Sequence, residues 1–150
     1  MSRRSLVALS LVLLLAAILP LAATAQGKRP KSIVVSIGQQ TMWAFKGQEV
    51  VMSTLVSTGR AGFDTPLGAY AVISKLPSQT MEGVIGGEYY NVPDVPSVLY
   101  FTSGGHALHG TYWHENFGSP MSHGCVNLPL DAAAWLYQWA PVGTPVTIVP

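Results

Sequence analysis

Apolar and polar positions divide the chain into short β-branched and aromatic runs separated by breaks that carry glycine or proline. Ser32 to Ile37, Thr41 to Phe45 and Glu49 to Val56 form three such runs, parted by Gly38-Gln39 and Lys46-Gly47, and this pattern predicts a hairpin meander. Ser57 to Gly68 holds three glycines, a proline and an aspartate and reads as a loop feeding a strand over Ala69 to Ser74. Leu76 to Val98 is broken repeatedly by proline and glycine, which predicts loops with short strand pieces and a candidate lid, with Tyr89 and Tyr90 as lid surface or core. A strand is expected over Val98 to Thr102, and the chain then runs through Ser103-Gly104-Gly105 toward Ala107-Leu108-His109. Pro129 to Ala140 is the one helical pattern. Pro129 suits its first turn, Asp131 complements the positive end of the dipole and Pro141 stops it. Trp135 and Trp139, one turn apart, are expected as core contacts, and Gly143 to Val149 closes with a strand.

The first residues follow a different pattern. Arg3 and Arg4 precede an almost unbroken apolar run from Leu6 to Leu19, and Ala23-Thr24-Ala25 matches a small-x-small cleavage site. A secretory signal over 1–25 is expected, followed by a linker over 26–31 and one domain over 32–150. The apolar run is shorter than the roughly 20 residues a membrane span requires, so cleavage is expected over retention as an anchor. No cysteine lies near the cut, which argues against a lipid-modified N-terminus.

Composition narrows the function. With 150 residues there is room for one domain of ordinary size. A charged fraction of 10% and a net charge of +1 provide no basic field for nucleic acid. Cys125 is the only cysteine. In an exported protein an unpaired thiol is a liability, so it is kept either for its chemistry or as a small buried apolar residue.

Its neighbours favour chemistry. His109 to Asn127 contains Cys125 and three of the four histidines. A histidine within hydrogen-bond reach can activate a thiol and return the proton to a leaving amine. Both His123, two residues before Cys125, and the more distant His109 are candidates, and spacing does not decide between them. The amides of Gly124 and Cys125 are candidate oxyanion donors, and Ser122 reads as a structural hydrogen-bond donor. Arg60 is a candidate partner for an acidic substrate group or an ordinary solvated loop residue. A zinc site from His106, His109, His114, His123 and Cys125 is the competing chemistry, but the spacing matches no zinc pattern and no metal or cofactor is expected.

The run Ser122-His123-Gly124-Cys125-Val126-Asn127, preceded by His109-Gly110, resembles the signature of the L,D-transpeptidase catalytic domain. The β-rich opening, the Ser57-Thr58-Gly59 loop leading to Thr65-Pro66-Leu67-Gly68, the downstream helix and the closing strand match that family's layout over roughly 32 to 149. The resemblance implies a mostly β domain, a β-sandwich with one helix after the cysteine. It implies that Cys125 is the nucleophile, His109 the general base and the Gly110 carbonyl the group that orients it. His123 then shapes the pocket, and Tyr112, Trp113 and Asn127 are candidate substrate contacts. The implied substrate is the tetrapeptide stem of peptidoglycan, attacked at its third residue in the periplasm or cell wall, with a carbapenem as a covalent inhibitor by analogy. An L,D-carboxypeptidase passing the acyl group to water shares this site. A non-catalytic wall-binding domain is the rival from another class.

Overall fold

The computed structural model describes residues 29–150. The expected signal segment, and the expected linker up to Lys28, lie outside the described residues. Strand β1 (Lys31–Ser36) starts on the last residue of that linker and is followed by β2 (Thr41–Lys46) and β3 (Glu49–Leu55). Next come β4 (Gly68–Ala71), β5 (Ser74–Ile85), β6 (Glu88–Tyr100), β7 (Ala107–Gly110) and β8 (Val126–Leu128). Helix α1 (Leu130–Trp139) and β9 (Pro145–Val149) complete the domain. No helix among the described residues is long and apolar enough to cross a membrane.

Two sheets form, a five-stranded one in the order β3-β2-β1-β9-β4 and a four-stranded one in the order β5-β6-β7-β8. Alternation sends Ile33 and Val35 of β1, Met42 and Ala44 of β2, and Val146 and Ile148 of β9 to one face of the first sheet. There they meet Leu99, Leu108, Val126 and Leu128 of the second sheet, with Ala133, Leu136 and Ala140 of α1 in one continuous core. The helix packs against β6 and β7. Its last turn has no basic residue of its own. Lys31 donates to the Trp139 carbonyl at 2.6 Å and Lys75 to the Ala140 carbonyl at 2.8 Å, so cations from two strands serve the helix C-terminus.

Two expectations are corrected. Leu76 to Val98 is no loop: it lies almost wholly within the long β5–β6 hairpin, closed by Gly86-Gly87 at φ 58° and 83°. Two consecutive positive-φ residues are what a tight hairpin turn requires. The prolines are tolerated because β5 is an edge strand, and because β6 pairs with β7 only at Leu99 and Tyr100, beyond Pro93 and Pro96. A register shift between Gln79 and Met81, with Asp94 and Ser97 at positive φ, absorbs the irregularity. The second correction is Trp135, which is exposed and stacks on Trp139 at 5.2 Å between ring centres, with only Trp139 packed on the core. The helix itself follows the pattern, with Pro129 one place earlier than expected, as its N-cap.

Candidate active site

Strand β8 was not foreseen, and it is what builds the site. It lies parallel to β7 with Leu108 opposite Val126, His109 opposite Asn127 and Gly110 opposite Leu128. Leu108, Val126 and Leu128 point into the core. Alternation therefore sends His109 and Asn127 to the other face. Cys125, immediately before β8, joins them there. All three line one cleft of about 430 Å³, together with Trp113, His123 and Tyr90.

His109 is 2% exposed, on the floor of this cleft under Trp113, whose ring centre lies 5.7 Å away. Its Nδ1 is 3.0 Å from the Gly110 carbonyl oxygen. A carbonyl only accepts, so Nδ1 carries the proton and Nε2 keeps its lone pair. Burial pushes the imidazole down to about 4, against the opposing pull of the Gly110 bond, and nearby His114 lowers it a little further. The ring is neutral at ordinary pH. Cys125 is half-buried, and burial pushes its thiol up to about 11 while a bond from the Ala107 backbone acts the other way. Its Sγ–H faces the Gly105 carbonyl at 3.8 Å. The resting pair is thiol and imidazole, both uncharged.

The turn carrying the thiol is held from several sides. Ser122 Oγ donates to the Cys125 carbonyl at 2.5 Å and accepts from the Gly124 N–H at 3.0 Å. Ser122 thus bridges the turn, and the Gly124 N–H, a candidate oxyanion donor, is bonded to the Ser122 hydroxyl in this structure. Gly124 sits at φ 116°, and a Cβ there would lie 3.1 Å from the His106 ring, so the position requires glycine. His106 is half-buried against this turn. Thr102 Oγ1 accepts its N–H at 3.1 Å and lies 2.9 Å from its Nδ1.

Sequence reasoning missed Thr65, which is 2% exposed. Its hydroxyl accepts from the Gly59 N–H and donates to the Gly124 carbonyl, each at 2.9 Å. One side chain thus ties both ends of the 57–68 loop to the cysteine turn. The pairing of Ser57 with Asn127 and of Gly59 with Ser122 continues the connection. The signal lay in the polar residues of that loop, which apolar patterning ignores.

Other expected contacts divide. Trp113 and Asn127 line the cleft, and the side chains of Asn127 and His114 meet at 2.9 Å. Tyr112 does not line it. It is half-exposed and its hydroxyl donates to the Pro93 carbonyl at 2.5 Å. Arg60 is a partly exposed loop residue whose guanidinium lies over the Phe63 ring at 4.2 Å and pairs with Glu88 of the hairpin. His123 stands between Phe63, edge-on at 4.8 Å, and Tyr90, stacked at 5.4 Å. Among the described residues no three His, Cys, Asp or Glu side chains converge as metal ligands.

Known proteins place this arrangement. The L,D-transpeptidase catalytic domain, the YkuD family, matches residues 30–148. L,D-transpeptidase 1 of Mycobacterium tuberculosis is 29% identical over 130 residues, which cover 77% of this chain and 49% of that protein. Probable L,D-transpeptidase 3 of the same species is 33% identical over 113 residues, covering 68% and 40% respectively. The chain thus spans half or less of the length of these curated relatives. Among solved structures, an L,D-transpeptidase from Mycobacterium smegmatis superposes with a TM-score of 0.76 at 29% identity, covering 81% of this chain and 59% of the other. L,D-transpeptidase LdtMt1 in complex with imipenem gives 0.76 at 28% identity with the same coverage. With the family match extending over almost the whole described chain, this protein belongs to the L,D-transpeptidase catalytic domain family.

Proposed function

We propose that this domain is an exported L,D-transpeptidase that acts on peptidoglycan tetrapeptide stems through a cysteine acyl-enzyme. The observation that carries the reading is the β7–β8 register, which sets His109 and Cys125 on one cleft-facing side while the Gly110 carbonyl leaves Nε2 of His109 free as a base. Because both groups rest uncharged, proton transfer accompanies attack instead of preceding it. Cys125 Sγ bonds to the carbonyl carbon of the third stem residue as its proton passes to His109 Nε2. The peptide C–N bond then breaks, the proton goes to the departing terminal D-residue, and a thioester remains. An acceptor amine attacks the thioester, His109 takes its proton, and the thiol is restored. Of the two candidate oxyanion donors, the Gly124 N–H bonds Ser122 in the free protein, and the Cys125 amide is assigned the role.

Asn127 and Trp113 bound the substrate cleft, and His123 shapes its wall. A carbapenem acylates the same sulfur, a reading supported by the imipenem complex of LdtMt1. Incubation with purified tetrapeptide muropeptides tests the reaction. New cross-links between two third residues are expected; trimmed tripeptides alone would assign water as the acceptor and make the enzyme a carboxypeptidase. Unchanged muropeptides with folded protein would leave a wall-binding domain.

A further inference from the structure

Glu88, at the end of the hairpin turn, reaches across to the cysteine motif. Its Oε2 contacts both Arg60 Nη2 and, at 3.2 Å, His123 Nε2. The same Nη2 lies 3.0 Å from that ring nitrogen. These three groups cannot all be satisfied together. Arg60 only donates and a carboxylate only accepts, so a neutral Nε2 serves one of them and leaves the other. Glu88 also spends a single oxygen on two donors, where an arginine fork suits two.

Arg60 and His123 do not depend on Glu88 for their positions. The Arg60 guanidinium rests on the Phe63 ring, and its backbone N–H donates to the Ser122 carbonyl at 3.0 Å. His123 is clamped between Phe63 and Tyr90. Glu88 is exposed, on a strand end beside two glycines, and its carboxyl is held below its usual range first by Arg60 and then by His123. An exposed pair of this kind is weak and exchangeable.

Charge distribution gives the arrangement a purpose. Of the described cations, Lys31 and Lys75 serve the C-terminus of α1, and Arg29 and Lys46 line a separate groove beside Pro141 to Pro145. Of these cations, Arg60 alone touches a residue of the cleft wall, His123, and the lining also includes Glu82. A peptide that brings carboxylates to such a cleft needs a cation there.

We infer that Arg60 and His123 form a carboxylate-binding subsite for the acyl-donor peptide, and that Glu88 fills it in the free protein as an internal surrogate. The inference rests on the transpeptidase reading above. Substrate binding exchanges one carboxylate for another: the incoming group takes Arg60 and His123 with its two oxygens, and Glu88 swings to solvent. Either the terminal carboxylate of the leaving residue or a side-chain carboxylate on the third residue has the required chemistry.

The test is steady-state acylation of the protein by three tetrapeptides: the free acid, its C-terminal amide, and one with the third-residue side chain amidated. Wild type is compared with Arg60→Gln, Arg60→Lys and Glu88→Gln, with unaltered folding checked by circular dichroism. Arg60→Gln is expected to raise KM for the free acid about tenfold or more, the range for a hydrogen bond to a charged group, with little change in kcat. Arg60→Lys should recover part of this. Glu88→Gln should lower KM. The amide that is insensitive to Arg60→Gln identifies the carboxylate bound. If Arg60→Gln and Glu88→Gln impair all three peptides alike, the cluster is only a hairpin latch and the subsite is refuted. If no peptide and no carbapenem acylates folded wild-type protein, the transpeptidase reading fails and the subsite with it.

Discussion

The two faces of the β7–β8 pair are both largely buried and carry opposite chemistry on one backbone. On one, Leu108, Val126 and Leu128 are fully buried against α1 and the five-stranded sheet. On the other, His109, Cys125 and Asn127 line a cleft. The strands are only four and three residues long, yet each serves both the core and the site. The core face fixes the register, because a slip of one residue would turn the leucines into the cleft and the histidine into the core. The proposed chemistry would depend on packing that never touches the substrate.

That dependence can be broken from the core side. Leu108→Ala should cost about 2–5 kcal/mol of stability through lost contacts and a residual cavity. Chemical denaturation would read this as a lower midpoint, and acylation per folded molecule should slow as well, because Leu108 anchors the register that positions His109. From the cleft side, pH offers a comparable lever. His109 titrates at about 4 folded and at its ordinary 6.5 unfolded, so the unfolded chain binds more protons between these values. Stability is full above pH 6.5 and falls as pH drops toward 4, by on the order of 3 kcal/mol from this group. His109→Gln should remove most of that slope in melting temperature. It leaves the smaller contributions of His106 and His114, whose values burial also lowers. Cys125 acts at the other extreme: stability should fall as pH rises from 9 toward 11, and Cys125→Ala should remove most of that fall, leaving the contributions of Tyr90 and Tyr100, whose values burial also raises.

Much of this division was legible in the sequence. The β-branched runs placed the frame and the proline-bounded alanine run placed the helix. Cys125, His109 and Gly110 followed from a motif whose spacing resembles a known family. The long hairpin was illegible because proline and glycine normally break strands, and only an edge position with a single partner strand excuses them. The Arg60–Glu88–His123 cluster was hidden for another reason. Its members lie far apart in sequence, and no local pattern announces that a hairpin end will reach the cysteine motif.

Thr65 sharpens the comparison at smaller scale, as a polar residue buried to serve the site. Thr65→Val keeps the shape but orphans the Gly59 N–H and the Gly124 carbonyl, at a cost of about 1–3 kcal/mol. Acylation should slow as well, because the turn carrying the thiol loses a tie. Away from both faces, Lys75→Met should cost only about 0.3–1 kcal/mol, the worth of a cation at a helix C-terminus, with acylation unchanged.

In the proposed reaction Cys125 and His109 act together across the β7–β8 register. Intact-protein mass spectrometry after incubation with a tetrapeptide stem or a carbapenem tests it most directly. One covalent adduct is expected on the wild type and none on Cys125→Ala. On His109→Ala its formation should be slower by about a hundred- to ten-thousand-fold, the usual worth of a general base. Adduct formation on folded Cys125→Ala, or at an undiminished rate on His109→Ala, would show that these two residues are not nucleophile and base.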